Sequence, residues 1–177
     1  MKKLKLMSLG AALLSFILLP GIMKAQDKDI VQDCNEAKAV FVKKDPSMQQ
    51  LFNSSYAYVI LPNVGKGGLV VGGAGGNGIV YQKGKMIGKA NMVQATVGAQ
   101  AGGQAYREVI FLEDKAALDR FKDNKIEFSG QVSAVAVKAG ASADAKYREG
   151  VAVFTEEKGG LMVEASLGGQ KFTFKSL

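Results

Sequence analysis

The feature that most constrains this chain is a glycine-rich run from Leu61 to Tyr81, in which eight of the 21 residues are glycine. Most of the other residues are β-branched or apolar, whereas a flexible linker would be rich in serine and other polar residues. Glycine weakens an ordinary strand, so this mixture indicates strands that bend or whose backbone lies close to a neighbour or a ligand. The run therefore predicts β-structure and not a tether.

The first 25 residues predict a secretory signal peptide. Three lysines precede an apolar stretch from Leu6 to Leu19, a Pro-Gly pair follows, and Ala25 is a small residue at the cleavage position before Gln26. The stretch is shorter than the ~20 residues of a membrane span, although an uncleaved anchor is the alternative. Residues 1–25 carry four of the 23 basic residues and none of the 16 acidic ones, so the net charge falls from +7 to +3 without them. We expect a periplasmic or secreted protein whose charge does not indicate a nucleic-acid partner.

Residues 26–177 suit a single domain. The one cysteine, Cys34, cannot form an internal disulfide, and its place on an apolar helical stripe predicts a core position. Histidine is absent, which removes the commonest general base, the commonest metal ligand and the Ser-His or Cys-His catalytic pairs. We therefore expect no catalytic residue, no metal and no cofactor.

Helical periodicity predicts three helices. The first runs from Asp27 to Lys44, where apolar residues recur every three or four positions. Asp45 is expected to be the N-cap of a short second helix, with Pro46 at its first position. A third helix is expected over about 113–124, with an inner face of Ala117, Leu118 and Phe121.

Elsewhere the apolar period changes to two, which predicts eight or nine short strands. Glycine pairs at strand ends favour a curled and even barrel-like sheet over a flat one. The predicted fold class is α+β, an antiparallel sheet with N-terminal helices and one inserted helix. The predicted strands cover residues 56–61, 68–72, 78–82, 93–111 with a bend at 102–103, 126–138, 147–155, 161–167 and 171–175.

Two patterns could indicate other chemistry. Gly73–Gly78 matches G-x-G-x-x-G, but the nucleotide-binding form lies between a strand and a helix, and here another strand is expected to follow. Carboxylates are the remaining acid–base candidates, and those on alternating strands are expected to lie on a solvated face. We therefore predict neither nucleotide binding nor enzymatic activity. The carboxylates concerned are Glu108, Glu127, Asp144, Glu149 and Glu164.

Lysines provide the candidate binding site. Four of them flank the glycine-rich hairpin region and two close the first helix, so a shared face would create an anion-binding patch for phosphate headgroups. Scattered solubilising lysines are the alternative. The candidate lipid-binding residues are Lys43, Lys44, Lys66, Gly67, Gly68, Lys83, Lys85 and Lys89.

Three segments resemble the SYLF domain family. Residues 57–80 are similar to its apolar-Pro-x-Val-x-Lys-x-Gly start and the glycine-rich strand that follows. Residues 97–112 are similar to its central glycine-rich block and apolar strand, and residues 157–169 to its Ser-Lys-Gly-Leu-Phe and Ser-Leu-x-Gly end. The family's Trp-Ser-x-Pro segment and Pro-x-Gly-Arg turn have no clean counterpart. Eukaryotic members bind phosphoinositides and actin, so the resemblance implies the fold and lipid binding, whereas a secreted chain would not meet actin in its own cell.

Two functions therefore remain open. The first is a non-enzymatic envelope module that binds anionic lipid or another amphiphile at a membrane surface, through the first helix and the lysines beside the glycine hairpin. The second is a structural or protein-interaction domain that does not bind lipid.

Overall fold

The computed structural model describes residues 20–68, 71–97, 102–126, 134–143, 145–159 and 169–177. The helices are α1 (Pro20–Lys44), α2 (Met48–Ser54) and α3 (Lys115–Lys122). The strands are β1 (Ala57–Gly68), β2 (Val71–Gln82), β3 (Lys85–Val97), β4 (Gly102–Leu112), β5 (Val135–Ala136), β6 (Val151–Gly159) and β7 (Gln170–Ser176).

These strands form one sheet in the order β5-β6-β4-β1-β2-β3-β7. Neighbouring strands are antiparallel, except that β5 and β6 run parallel, so the sheet is mixed. The predicted α+β class is confirmed. Over the described strands the sheet is open, with β5 and β7 at its two edges, so the expected barrel-like closure is wrong. The curl of the sheet stays a prediction.

The sheet separates two apolar cores, because alternate residues of a strand point to opposite faces. Helices α1 and α2 pack on one face, here called the α1 face, and α3 packs on the other, here called the α3 face. The α1-face core includes Cys34, Phe41, Phe52, Ile60 and Phe111. The α3-face core includes Val59, Met92, Ile110 and Phe172, together with the predicted inner face of α3, Ala117, Leu118 and Phe121.

A register shift around Pro62 decides which side chains of β1 enter each core. The pairings of β1 with β2 and with β4 both become irregular between Ile60 and Val64. Proline has no N–H to donate to a neighbouring strand, and within sheets it is tolerated at bulges. The bulge resets the alternation, so that Leu61 and Val64 both enter the α3-face core while Asn63 reaches α1 through Asp33.

The glycine-rich run forms a hairpin, as expected of β-structure. Strands β1 and β2 pair from Ala57 with Gln82 at one end to Gly68 with Gly72 at the other. The separate strand predicted over 68–72 is wrong, because Gly68 ends β1 and Gly72 lies in β2. The G-x-G-x-x-G match lies inside β2, which is paired on both sides, and so lacks the strand–turn–helix setting of a nucleotide site.

The helices differ from prediction at their starts. Helix α1 begins at Pro20 and not at Asp27. Helix α2 begins at Met48, so the expected N-cap role of Asp45 is wrong. The buried Asp45 carboxylate instead accepts hydrogen bonds from the backbone N–H groups of Ser47, at 3.1 Å, and Ser142, at 2.7 Å. Among the described residues, no helix combines the length and apolar character needed to cross a membrane.

The C-terminal third departs most from prediction. The strand expected over 126–138 is reduced, in the described residues, to Val135–Ala136. The strand expected over 147–155 begins later, at Val151, because Glu149 and Gly150 form a turn with φ values of 52° and 76°. The strand expected over 171–175 is confirmed within β7, and the strand expected over 161–167 lies outside the described residues.

Two glycines of the hairpin give a matched test of why glycine is needed. Gly78 is buried, and a Cβ there would collide with the carbonyl oxygen of Ile60, whereas a Cβ at Gly65 would meet nothing within 4 Å. Gly78→Ala should lower the free energy of unfolding by about 1–3 kcal/mol because the strands must move apart. Gly65→Ala should leave it unchanged or raise it by about 0.5 kcal/mol, because alanine loses less backbone entropy. Urea denaturation measures both, and equal losses would contradict the packing explanation.

Asp45 should contribute measurably to stability. Burial opposes its charge, but the hydrogen bonds from Ser142 and Ser47 outweigh that effect and hold the pKa of Asp45 below its ordinary value of 3.8. Asp45→Ala should lower the free energy of unfolding by about 2–3 kcal/mol at neutral pH, because two buried N–H groups lose a charged acceptor. The contribution should be complete above about pH 4 and decline as the pH falls through the lowered pKa. Urea denaturation from pH 2.5 to 7, with the exposed Glu113→Ala as control, would contradict this if both variants lost the same stability.

Candidate functional site

The structure does not gather the candidate lysines into one patch. Lys66 pairs with Ala74 near the glycine end of the β1–β2 hairpin, whereas Lys83 lies in the turn beyond the opposite end. At 3.3 Å per strand residue, roughly 30 Å separates the two positions. Lys43 is exposed at the end of α1, and Lys85 is exposed at the start of β3.

Lys44 belongs to an ion-pair network that joins three elements. Its Nζ lies 2.5 Å from Glu156 Oε1 on β6, and Arg107 on β4 lies 2.5 Å from Glu156 Oε2. The Glu156 side chain is only 4% exposed, so removing either cation would leave a buried charge with less compensation. This network anchors the end of α1 on the sheet.

Lys66 and Lys83 each lie in a different local environment, one buried and one beside an aromatic ring. The bulge at Pro62 places Lys66 on the α3 face, where the residue is only 8% exposed. Its long apolar stem suits such a site. The Lys83 ammonium lies 5.8 Å from the centre of the Tyr56 ring, within range of a cation–π contact. Gly67 is exposed on β1, and Gly68 ends the same strand.

Lys89 lies in a groove on the α1 face of the sheet. The groove has a volume of about 570 Å³ and is bounded by α1 on one side and by β1, β2, β3 and β7 on the other. This volume lies within the ~300–1,000 Å³ of typical small-molecule sites. Its apolar lining includes Ile30, Pro62 and Ala90. The groove is therefore large enough to accept a phosphate-bearing headgroup.

A row of polar side chains crosses the floor of this groove. Asn63, Asn77, Asn91 and Thr173 are successive register partners on β1, β2, β3 and β7. The Asn91 amide donates to Asn77 Oδ1 at 2.8 Å, and the Asn63 amide donates to Asp33 Oδ2 at 3.0 Å. Lys158 donates to Asn63 Oδ1. These bonds fix the orientation of the amides and so preorganise the floor.

The two walls of the groove carry opposite charges. Lys89 and Lys175 are register partners on β3 and β7, so the strand wall presents two cationic side chains next to each other. Asp29 and Asp33, one helical turn apart on α1, form the other wall.

A surface with few side chains continues from the groove along the α1 face. Beyond the asparagine row, the exposed positions on β1 and β2 are glycines, and on β3 they are Val93, which is 53% exposed, and Ala95. A flat molecule or an acyl chain can therefore approach the backbone here. The glycines are Gly65, Gly67, Gly73 and Gly75.

Sequence reasoning found only part of this site. It selected Lys89 but missed Lys175, Asp29, Asp33 and the asparagine row. The alternation of Lys89 with Asn91 and of Thr173 with Lys175 was a usable signal within each strand. The missing information was the pairing of β3 with β7, because these strands are far apart along the chain.

Burial raises the pKa of several groups in the described residues, and two of these groups, Cys34 and Glu108, were the subject of expectations from the sequence. Burial raises the pKa of the Cys34 thiol to about 12, and its Sγ donates to the Ile60 carbonyl at 3.5 Å, as suits the predicted core role. Glu108 was expected on a solvated face, and this is wrong, because the residue is 0% exposed. Burial raises the pKa of Glu108 to about 7. Glu149 is exposed, and Glu127, Asp144 and Glu164 lie outside the described residues.

The described residues contain no cluster of three or more His, Cys, Asp or Glu side chains arranged to hold a metal ion. The polar groups that line the groove are ammonium, amide, carboxylate and hydroxyl groups.

Two comparisons relate this chain to known proteins. Residues 93–176 match the Ysc84 family, described as "Las17-binding protein actin regulator". Over 132 residues the chain is 32% identical to "Beta cell expansion factor A" from Aeromonas veronii, an alignment that covers 73% of this chain and 49% of that protein. The chain thus spans about half the length of this curated relative. The family match begins within β3, at Val93, and runs to Ser176. It therefore contains Thr173 and Lys175 of the groove but not Lys89 or Asn91.

Proposed function

Because the chain belongs to the Ysc84, or SYLF, family, we propose that it is a non-enzymatic binding module that recognises the phosphate of an anionic lipid headgroup. One observation carries the proposal: a groove of about 570 Å³ in which Lys89 and Lys175 lie next to each other on one wall. The family is one of binding domains, which supports a role without catalysis.

In this proposal the strand wall holds the phosphate. The Lys89 and Lys175 ammonium groups supply charge without demanding a fixed geometry, which suits a phosphate group. Asn91 and Thr173 lie beside them in the next row and can donate hydrogen bonds to phosphate oxygens. Asp29 and Asp33 repel an anion and so direct it toward β3 and β7. This arrangement would bind a single phosphate in one orientation.

The adjoining glycine surface would let the protein lie close to the bilayer. Gly65 and Gly75 present no side chain that would hold an acyl chain or a glycerol backbone away from the sheet. Val93 offers an exposed apolar contact beside them. A lipid could then place its headgroup in the groove and its apolar part along this surface. We also propose export through residues 1–25 and action in the periplasm or outside the cell, as the N-terminal sequence pattern indicates.

A protein partner is the second candidate, and the family description supports it. That description names binding to another protein, Las17. In this chain the exposed glycine surface beside the groove would be the contact area. Binding to protein without binding to vesicles would favour this alternative.

The lipid proposal is tested by reversing charges inside and outside the groove. Lys89→Glu/Lys175→Glu should reduce flotation with phosphatidylglycerol vesicles at least tenfold, because it replaces the two phosphate-binding cations by anions. Lys83→Glu/Lys85→Glu changes the net charge equally on exposed residues outside the groove and should reduce flotation less than threefold. Phosphatidylcholine vesicles should float neither the wild type nor either double variant.

The outcomes separate three explanations. Equal loss in both double variants would mean that general surface charge, and not the groove, attracts the membrane. Unchanged flotation in both variants, or no flotation of the wild type with either lipid, would contradict the proposal. Because Lys89 is half-buried, thermal unfolding of each variant and the exposed single variant Lys175→Glu exclude a folding defect as the cause.

A further inference from the structure

A hydrogen bond on the α3 face links two strands that are not neighbours. Gln170 Nε2, at the start of β7, donates to Glu108 Oε2 on β4 at 3.0 Å. Strands β1, β2 and β3 lie between β4 and β7 in the sheet order. In the described sheet β7 pairs with β3 alone, so this hydrogen bond attaches an edge strand to a strand outside its own pairing.

The bond leaves two buried oxygen atoms unsatisfied. Glu108 is 0% exposed and Gln170 is 2% exposed. Within the described part of the chain, neither Glu108 Oε1 nor Gln170 Oε1 has a hydrogen-bond partner. Both atoms are acceptors when the carboxyl group is ionised, and buried acceptors without a donor are costly. A protonated carboxyl group supplies the missing donor, because its O–H can bond to the amide oxygen while its other oxygen accepts from the amide N–H.

We propose that Glu108 is a proton-operated latch that, when neutral, pairs with the Gln170 amide and holds β7 in place, and that loosens β7 when it ionises. Ionisation breaks the carboxyl O–H bond, the proton goes to solvent, and an uncompensated charge remains in the core. Burial raises the pKa of Glu108 to about 7, although the bond from Gln170 acts in the opposite direction. The latch therefore changes state near neutral pH.

Among the described residues, the charged groups near Glu108 do not supply another switch in this range. On β4, Tyr106 stays neutral, because burial and the charge of Glu108 raise its pKa and outweigh the hydrogen bond with the Gln170 side chain, which lowers it. The register partners of Glu108 on β1 and β6 are Leu61 and Thr155, which do not titrate. The cations that the described residues place on this face include Lys66, which lies beside Gln104 four residues along β4, and Lys122 of α3, which lies 5.6 Å from the Phe174 ring centre. The chain contains no histidine.

The latch would regulate the groove because β7 carries residues of both the latch and the groove. Gln170 and Phe172 point to the α3 face, where the Phe172 ring lies 5.3 Å from that of Phe121. Thr173 and Lys175 point to the α1 face and line the groove. Loosening of β7 would displace one of the two lysines of the strand wall. This consequence rests on the proposed lipid function, whereas the latch itself does not.

The experiment compares the wild type with Glu108→Gln, an isosteric variant that cannot ionise, and with Glu157→Gln, which makes the same charge change on an exposed residue of β6. Hydrogen exchange of the β7 amides, corrected for intrinsic rates, is measured from pH 5.5 to 8.5. In the wild type and in Glu157→Gln, protection should fall about tenfold or more as the pH rises, because the folded state binds a proton that the unfolded state has lost. In Glu108→Gln it should stay constant. An equal fall in all three proteins would overturn the latch.

Two further measurements complete the test. At pH 6, infrared spectra should contain a protonated carboxyl band that Glu108→Gln lacks, and an identical band in both proteins would overturn the assignment of the proton to Glu108. Flotation with phosphatidylglycerol vesicles should weaken severalfold between pH 5.5 and 8.5 in the wild type but not in Glu108→Gln. If the lipid proposal fails, no vesicle binds at any pH, and the exchange and infrared results still decide the latch.

Discussion

The structure depends on the burial of β1 at the centre of a sheet that has a core on each face. From Ala57 to Leu61 this strand has no solvated side, so its alternate residues enter one core or the other. The bulge at Pro62 shifts that alternation by one residue. Val64 and Lys66 thereby reach the α3 face, while Asn63, Gly65 and Gly67 reach the α1 face. The same proline that breaks the ladder thus decides which polar and glycine residues are available to the groove.

In a sheet with a core on each face, the polar side chains of strands that alternate apolar and polar residues must also find a place. Some lie where α1 leaves the sheet uncovered, and there the amides of Asn63, Asn77 and Asn91 form an ordered row. Others are enclosed, and Glu108, Lys66 and Gln170 are the clearest cases. Enclosure raises the pKa of a carboxylic acid such as Glu108 because a charge is poorly solvated in the core. The proposed binding site and the proposed latch are thus two results of one architecture.

Strand β7 connects these two parts of the protein. It lies at the edge of the sheet, it carries Gln170 on one face, and it carries Thr173 and Lys175 on the other. Edge strands are held by fewer hydrogen bonds than central ones, so the environment of their side chains weighs more heavily in their position. The family match includes this strand. A binding surface built partly on a weakly held strand can respond to the state of the core beneath it.

The sequence by itself determined the local structure and the class of the fold. Periodicity was enough for the C-terminal part of α1, for the inner face of α3, for β7 and for the β-structure of the glycine-rich run, because these depend on residues close together in the chain. Periodicity was misleading for Asp45, because its carboxylate accepts a hydrogen bond from the backbone N–H of Ser142, a residue far away in the sequence. It was also misleading for Glu108, because the burial of this residue requires a second covered face of the sheet. Only the tertiary structure decided that Lys89 meets Lys175 while Lys66 and Lys83 lie far apart. The reason is that strand pairing and the shift at Pro62 are set by the packing of distant segments, which a pattern read along the chain does not contain.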